Sequence, residues 1–184
     1  MQKALNFQIE DDVRLELIDE THAQGLFTSI DENRAHLSVF LSWVGNMKSV
    51  ADVRQYIDSC KQLNKDGKEV SFVIIYADEI VGRIGLHHIN TLNKTAAIGY
   101  WLEERVVGRG IITKSCKKLI DYGFEILGLN RIEIKAATQN FKSQAIPQKL
   151  NFVQEGILRQ AEIVNHNFLD LILYSMLKED WANA

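Results

Sequence analysis

The chain has 184 residues, 46% of them apolar and 24% charged, with a formal net charge of −3. That length carries one domain with a sizeable core (residues 1–184 as a unit), the composition is that of an ordinary globular protein, and no apolar run approaches the ~20 residues of a membrane span. The small negative charge argues against nucleic acid as a general partner, and the opening Met1-Gln2-Lys3-Ala4-Leu5-Asn6 lacks the apolar stretch of a secretory signal.

Val13, Leu15 and Leu17 alternate with Arg14 and Glu16, which predicts an opening strand. Asp19 is placed to cap a helix over residues 20–30, and Asp31 to cap a second one carrying Leu37, Phe40 and Leu41. Ser49 with Asp52 resembles a capping box, and Val53, Ile57 and Cys60 follow at helical spacing. This helix should end near Asp66-Gly67. Residues 70–77 are rich in β-branched and aromatic side chains, Asp78-Glu79 makes a turn, and 80–89 continue as strand. A second turn over 91–94 leads into a strand over 95–102, so the three segments read as an antiparallel meander. Ile112, Cys116, Leu119, Ile120, Gly123, Phe124 and Leu127 line one face of a helix, with Gly128 where a C-cap belongs. Ile132 and Ile134 alternate with charges in a fifth strand over 131–137. A short helix and two further strands, over 152–159 and 167–177, complete the chain. The order implies a mixed α/β (α+β) fold, with helices packed on one central, mostly antiparallel seven-stranded sheet.

The most informative stretch runs from Gly99 to Ile111, a predicted strand feeding Arg105-x-x-Gly108-x-Gly110 and then a long amphipathic helix. A lone Gly-x-Gly is more often only a tight turn using glycine's freedom at positive φ. A P-loop is excluded because Gly110 is followed by Ile111-Ile112-Thr113-Lys114 rather than Lys-Ser/Thr, and a dinucleotide fingerprint because its third glycine falls at Thr113. The functional reading that remains is an anion site built from amides of about residues 106–111, with the helix dipole and the cations Arg105 and Arg109.

The blocks Ile98-Gly99-Tyr100-Trp101-Leu102-Glu103, Gly128-Leu129-Asn130-Arg131-Ile132-Glu133, Asn140-Phe141-Lys142-Ser143-Gln144-Ala145, Leu150-Asn151-Phe152 and the run from Glu155 to Glu162 stand in order along the chain. Together with the glycine loop they resemble the GNAT superfamily of N-acetyltransferases, over roughly residues 10–180. The later blocks resemble its RimJ/RimL branch, which acetylates the N-termini of ribosomal proteins. The resemblance implies the acyl-CoA N-acyltransferase fold, with acetyl-CoA as co-substrate and no metal. It implies that Trp101 and Leu102 offer backbone groups to the pantetheine arm. Amides of Val106, Val107, Gly108, Arg109 and Gly110, running into Ile111, would hold the pyrophosphate beside Arg105, and Asn140 and Ser143 would sit near the arm and the sulfur.

Acetyl transfer needs a neutral amine, a stabilised carbonyl oxygen and a departing thiolate. An α-amine with pKa ~7.7–8.0 is about a tenth neutral at pH 7, whereas lysine at ~10.4 is neutral to a few parts in ten thousand. A base is therefore needed mainly as the bond forms. By resemblance Glu162 is that base, directly or through water; without the family it reads as a solvated strand-end carboxylate. Glu103 competes as a site for the incoming amine, and Glu104 reads as surface. Many superfamily members protonate the thiolate with a tyrosine whose place here is Pro147. In the RimL-like branch a serine does so, and Ser143 matches it, although a serine near a helix start also reads as a cap. Pro147 sits in the first turns of that helix, or it frees the carbonyl of Ser143 by lacking an N–H. A backbone amide near Trp101 or Leu102 is the expected oxyanion donor.

Other residues carry weaker signals. His87 and His88 are adjacent in a predicted strand, should face opposite ways and read first as strand residues. Trp43 resembles an aromatic position on the substrate side of this branch, although core packing explains it as well. Cys60 and Cys116 fall on apolar helix faces, which fits reduced thiols in the cytoplasm, and Cys116 is a poor nucleophile. Asn165-His166-Asn167 reads as a hairpin tip. The expected reaction is direct transfer in a ternary complex to a protein α-amine, a ribosomal protein first, with no membrane or nucleic-acid partner and with a homo-oligomer as the default assembly. Rivals are an acetyltransferase of a polyamine, antibiotic or amino acid, and a non-catalytic acyl-CoA sensor.

Overall fold

The computed structural model describes residues 5–183. Its strands are β1 (Asn6–Glu10), β2 (Val13–Leu17), β3 (Val70–Tyr76), β4 (Glu79–Asn90), β5 (Thr95–Leu102), β6 (Arg131–Ala137), β7 (Val153–Val164) and β8 (Asn167–Leu177). They form one eight-stranded sheet in the order β1-β2-β3-β4-β5-β6-β8-β7. Every neighbouring pair is antiparallel except β5–β6, which is parallel. The strand missing from the sequence reading is β1. Phe7 and Ile9 do alternate with polar neighbours, but the stretch is only five residues long and pairs at the sheet edge.

The helices are α1 (Ala23–Glu32), α2 (Arg34–Leu37), α3 (Val50–Lys65), α4 (Ile111–Glu125), α5 (Phe141–Lys149) and α6 (Lys178–Ala182). Asp19 caps a short 3-10 turn ahead of α1 rather than the helix itself. Asp31 is no cap: it lies inside α1, and α2 begins after Asn33 without a side-chain cap. Ser49 does cap α3, accepting from the Asp52 amide, while the Asp52 carboxylate accepts from the Lys48 amide and the Ser49 hydroxyl.

Alternation along the strands separates two apolar clusters. Phe72, Ile74, Ile84, Leu86, Ile98, Ile132 and Ile134 meet the apolar stripe of α4 on one face of the sheet. Val73, Ile75 and Trp101 meet α1 and α3 on the other. No helix among the described residues is long and apolar enough to cross a membrane.

Candidate active site

The glycine loop leaves a run of amides without acceptors, a narrower set of donors than the spacing implied. A 3-10 turn over Glu104–Val106 follows β5. In it the amide of Val106 donates to the Glu103 carbonyl at 3.3 Å and that of Val107 to the Glu104 carbonyl at 3.2 Å. These two N–H groups are therefore spent within the protein. Beyond them Gly108 and Gly110 adopt φ of 88° and 80°, a region that side chains with a Cβ rarely enter. The first helical bond of α4 runs from the Lys114 amide to the Gly110 carbonyl. Among the described residues the amides of Gly108, Arg109 and Gly110 have no backbone acceptor, and those of Ile111, Ile112 and Thr113 are the free donors of the first helical turn. A run of free donors at a helix N-terminus, with no Cβ above the glycines, fits a diphosphate. Arg105 does not point into this set: its guanidinium bridges Glu103 at 2.5 Å and Glu79 at 2.7 Å. Arg109 lies over the Tyr76 ring and donates to its hydroxyl.

The second element is an open strand edge. β5 and β6 stay paired only from Thr95↔Arg131 to Ile98↔Ile134, and beyond that they part. The orientation of the backbone there follows from one bond, the Glu103 amide to the Val81 carbonyl at 2.8 Å. Antiparallel ladders repeat every second residue, so Trp101 exchanges its backbone bonds with Arg83 across the same pair of strands. The main-chain groups of Trp101 thus face β4. Those of Tyr100 and Leu102, of which the sequence reading named Leu102, face the gap toward β6.

Across the gap stands the N-terminus of α5. The Asn140 side chain caps this helix, accepting from the Ser143 amide at 3.1 Å. Pro147 lies within α5, so the Ser143 carbonyl gets no amide donor from the position four residues on. The Tyr100 hydroxyl fills that place, donating to this carbonyl at 3.1 Å, and it also lies 3.1 Å from the Ser143 hydroxyl. Burial pushes the Tyr100 phenol well above its ordinary pKa. The sequence singled out Ser143 and the freed carbonyl but not the tyrosine that meets them. Its only signal was its place in the Ile98–Glu103 block.

The other face of the sheet holds the carboxylate. Ala137 pairs with Leu171, and Glu162 pairs with Leu169. Since Ile132, Ile134 and Ala136 face α4, alternation puts Ala137, Leu171, Leu169 and Glu162 on the face that carries α1 and α3. Glu162 is half-buried, has no hydrogen-bond partner among the described residues, and is shifted above the ordinary carboxylate range by burial. A shift of register between Leu158 and Glu162, with Gln160 at φ 49°, aims this part of β7. The tip of the β7–β8 hairpin reaches the helical layer, where the Asn165 side chain donates to the Ser38 carbonyl at 2.9 Å. Glu103, the competing acid, is buried and locked to Arg105, so it is not placed to receive an amine.

On the same face a cavity of about 260 Å³ lies under α1 and α3, walled by Trp43, Met47 and Trp101 and floored by Glu69, Arg83 and His87. Trp43 and Trp101 stand 6.1 Å apart between ring centroids, so Trp43 both packs and lines space. Glu69 accepts from Arg83 at 2.7 Å and pairs with His87 Nδ1 at 2.9 Å. His88, at φ 53°, is exposed and takes no part. Cys116 is wholly buried, and burial pushes its thiol up, which leaves no nucleophile there. Among the described residues no group of His, Cys, Asp or Glu side chains is arranged to hold a metal.

A run of free amides at a helix start, a parted pair of parallel strands and a serine at a second helix start fit an acyl-CoA-handling acetyltransferase. Residues 12–153 match the acetyltransferase (GNAT) domain, and the chain belongs to that family. It is an N-acetyltransferase with acetyl-CoA as co-substrate. The chain is similar to the putative ribosomal N-acetyltransferase YdaF of Bacillus subtilis (strain 168), 34% identical over 95% of this chain and 96% of that protein. It is also similar to the ribosomal-protein-serine acetyltransferase of Escherichia coli (strain K12), 32% identical over 92% and 95% of the two chains. Among solved structures it superposes on RimL, a ribosomal L7/L12 α-N-protein acetyltransferase in complex with coenzyme A. The TM-score is 0.91 at 27% identity, covering 96% of this chain and 99% of that one.

Proposed function

We propose that this enzyme acetylates the α-amine of a protein N-terminus, with a ribosomal protein as the first candidate, by direct transfer in a ternary complex. The observation that carries the reading is that Ser143 and Glu162 lie on opposite faces of the sheet, with Ser143 across the gap that opens beyond the last β5–β6 pair. Ser143 and the amide cradle lie on the α4 face, and Glu162 and the aromatic-walled cavity on the α1–α3 face. An amine arriving from one face and a thiolate leaving toward the other need no covalent enzyme intermediate, and Cys116 offers none. The relatives named above, acting on ribosomal proteins, support the acceptor class.

In this reading acetyl-CoA supplies an activated thioester. The amides of Gly108 to Thr113 hold its diphosphate, and the main-chain groups of Tyr100 and Leu102 align the arm and polarise the carbonyl oxygen. Glu162, in its ionised form, takes a proton from the amine nitrogen as the N–C bond forms. The C–S bond breaks with its electron pair on sulfur, where the Ser143 hydroxyl donates a hydrogen bond. The cytoplasm, where ribosomal N-termini are met, suits two buried cysteines that stay unpaired.

The test is mass spectrometry of peptides beginning with serine or alanine, incubated with the protein and acetyl-CoA beside a panel of polyamines, amino acids and aminoglycosides. Acetylation at the peptide α-amine supports the proposal. Acetylation of a small amine alone moves the acceptor class, and binding of the thiol without transfer to any amine makes the protein a sensor.

A further inference from the structure

We propose that Tyr100 is a positioning residue for the thiol-leaving side of the reaction, bridging the gap between β5 and α5 to fix both the carbonyl and the hydroxyl of Ser143. The inference rests on the reading of Ser143 given above and adds a residue to it.

The geometry decides which way the bridge works. The Tyr100 hydroxyl has one proton and two partners at the same distance, the Ser143 carbonyl and the Ser143 Oγ, each at 3.1 Å. A carbonyl can only accept. A part-buried carbonyl without a donor is costly, and Pro147 has removed the amide that a regular helix would supply. The phenol proton therefore goes to the carbonyl, and the phenol oxygen is left to accept from Ser143 Oγ–H. In the resting site the serine hydroxyl donates to the tyrosine, and this contact fixes where its oxygen stands.

This arrangement also bears on what Ser143 does. An aliphatic alcohol is a far weaker acid than a thiol, so a serine is a poor source of a proton for a thiolate. It is a good hydrogen-bond donor to one, provided its orientation is prepared in advance. Burial keeps the Tyr100 phenol protonated, so the clamp on the carbonyl persists across the working pH range while the serine hydroxyl turns from the phenol oxygen to the sulfur. The proline and the tyrosine are a matched pair: the first vacates an acceptor on α5, and the second reaches it from the cofactor strand.

The test is a double-mutant cycle on the full chain, read by thiol release with acetyl-CoA and an acetylated peptide's unmodified parent. Tyr100→Phe is expected to lower kcat by about tenfold or more while KM for acetyl-CoA stays within about twofold. In a Ser143→Ala background the same change is expected to cost almost nothing further, because the hydroxyl it orients is gone. A tyrosine that merely packs would give losses that multiply, and that result, or an unchanged kcat in Tyr100→Phe, overturns the inference. Should Tyr100→Phe not fold, the cycle is run with Pro147→Ala present in every member. The alanine amide then satisfies the Ser143 carbonyl and leaves the contact with Oγ as the quantity measured. A wild type that turns over while the losses multiply removes the role of Tyr100 alone. A wild type that releases no thiol with any amine removes the proposed activity, and the role of Tyr100 with it.

Discussion

Glu162 and Glu103 show how far residue type is from function. Both are carboxylates singled out by the sequence, yet Glu103 is paired with Arg105 at 2.5 Å and Glu162 has no hydrogen-bond partner among the described residues. A general base must be ionised to work, and burial shifts Glu162 above the ordinary carboxylate range. The rate should therefore fall as pH drops through that raised value, on the acid side of the profile but above where an exposed carboxylate titrates. Glu162→Gln is expected to lose this limb and about 10²-fold or more of kcat, with coenzyme A affinity unchanged by calorimetry. The glycines of the cradle make the opposite prediction. A Cβ at Gly110 meets nothing nearer than Lys114 Cε at 3.8 Å, so space is not the constraint. The constraint is φ of 80°, which costs a Cβ-bearing residue ~1–2 kcal/mol. Gly110→Ala should keep the fold and weaken coenzyme A binding about tenfold by calorimetry, as the loop relaxes and its amides turn away.

Elements were legible where periodicity and punctuation agreed. The meander, the α4 stripe and the C-terminal pair of strands follow from alternation, helical spacing and turn residues, but α4 ends at Glu125 with Ile126 as its C-cap, so Gly128, at φ 66°, lies two residues beyond the cap it was expected to form. What escaped was set by contacts between elements. β7 runs to Val164, beyond the predicted end at 159, because a register shift breaks the alternation that would have revealed it. The β3–β4 turn falls on Ala77-Asp78, both at positive φ, one residue before the predicted turn. The orientation of the β5 backbone depends on which residue of β4 it meets, and no pattern within β5 encodes that. The start of α5, by contrast, is local. Asn140 caps the helix through the Ser143 amide, so removing the cap disturbs the residue proposed to meet the sulfur. Asn140→Ala should cost about 1 kcal/mol in a denaturant titration and lower kcat, whereas Asn140→Asp, which retains the acceptor, should restore both.

At the scale of the whole molecule, the sheet separates the α4 face from the α1–α3 face, and the proposed function assigns the cofactor to the first and the acceptor to the second. The second face holds a charge cluster that no helix stripe predicts. Glu69 sits under α3 with its carboxylate bonded by Ser71, Arg83 and His87. Burial alone would raise its pKa; the bond and charge of His87, the Ser71 hydroxyl and the Arg83 guanidinium override that and hold it at about 2. The linkage follows from the sign of the shift. A carboxyl whose folded pKa lies below its ordinary 4.5 stabilises the fold fully above that value, and the contribution fades as pH falls from there toward about 2. Denaturant titrations taken at intervals from neutral pH down through this window should show stability declining, with Glu69 a principal contributor. Glu69→Gln should be less stable at neutral pH, because Arg83 keeps its buried charge without a counter-charge, and its decline with acid should be shallower than the wild type's. A variant equal to wild type at neutral pH with the same acid slope would mean that the cluster contributes no net stability, and that its place on the cavity floor is owed to the acceptor alone.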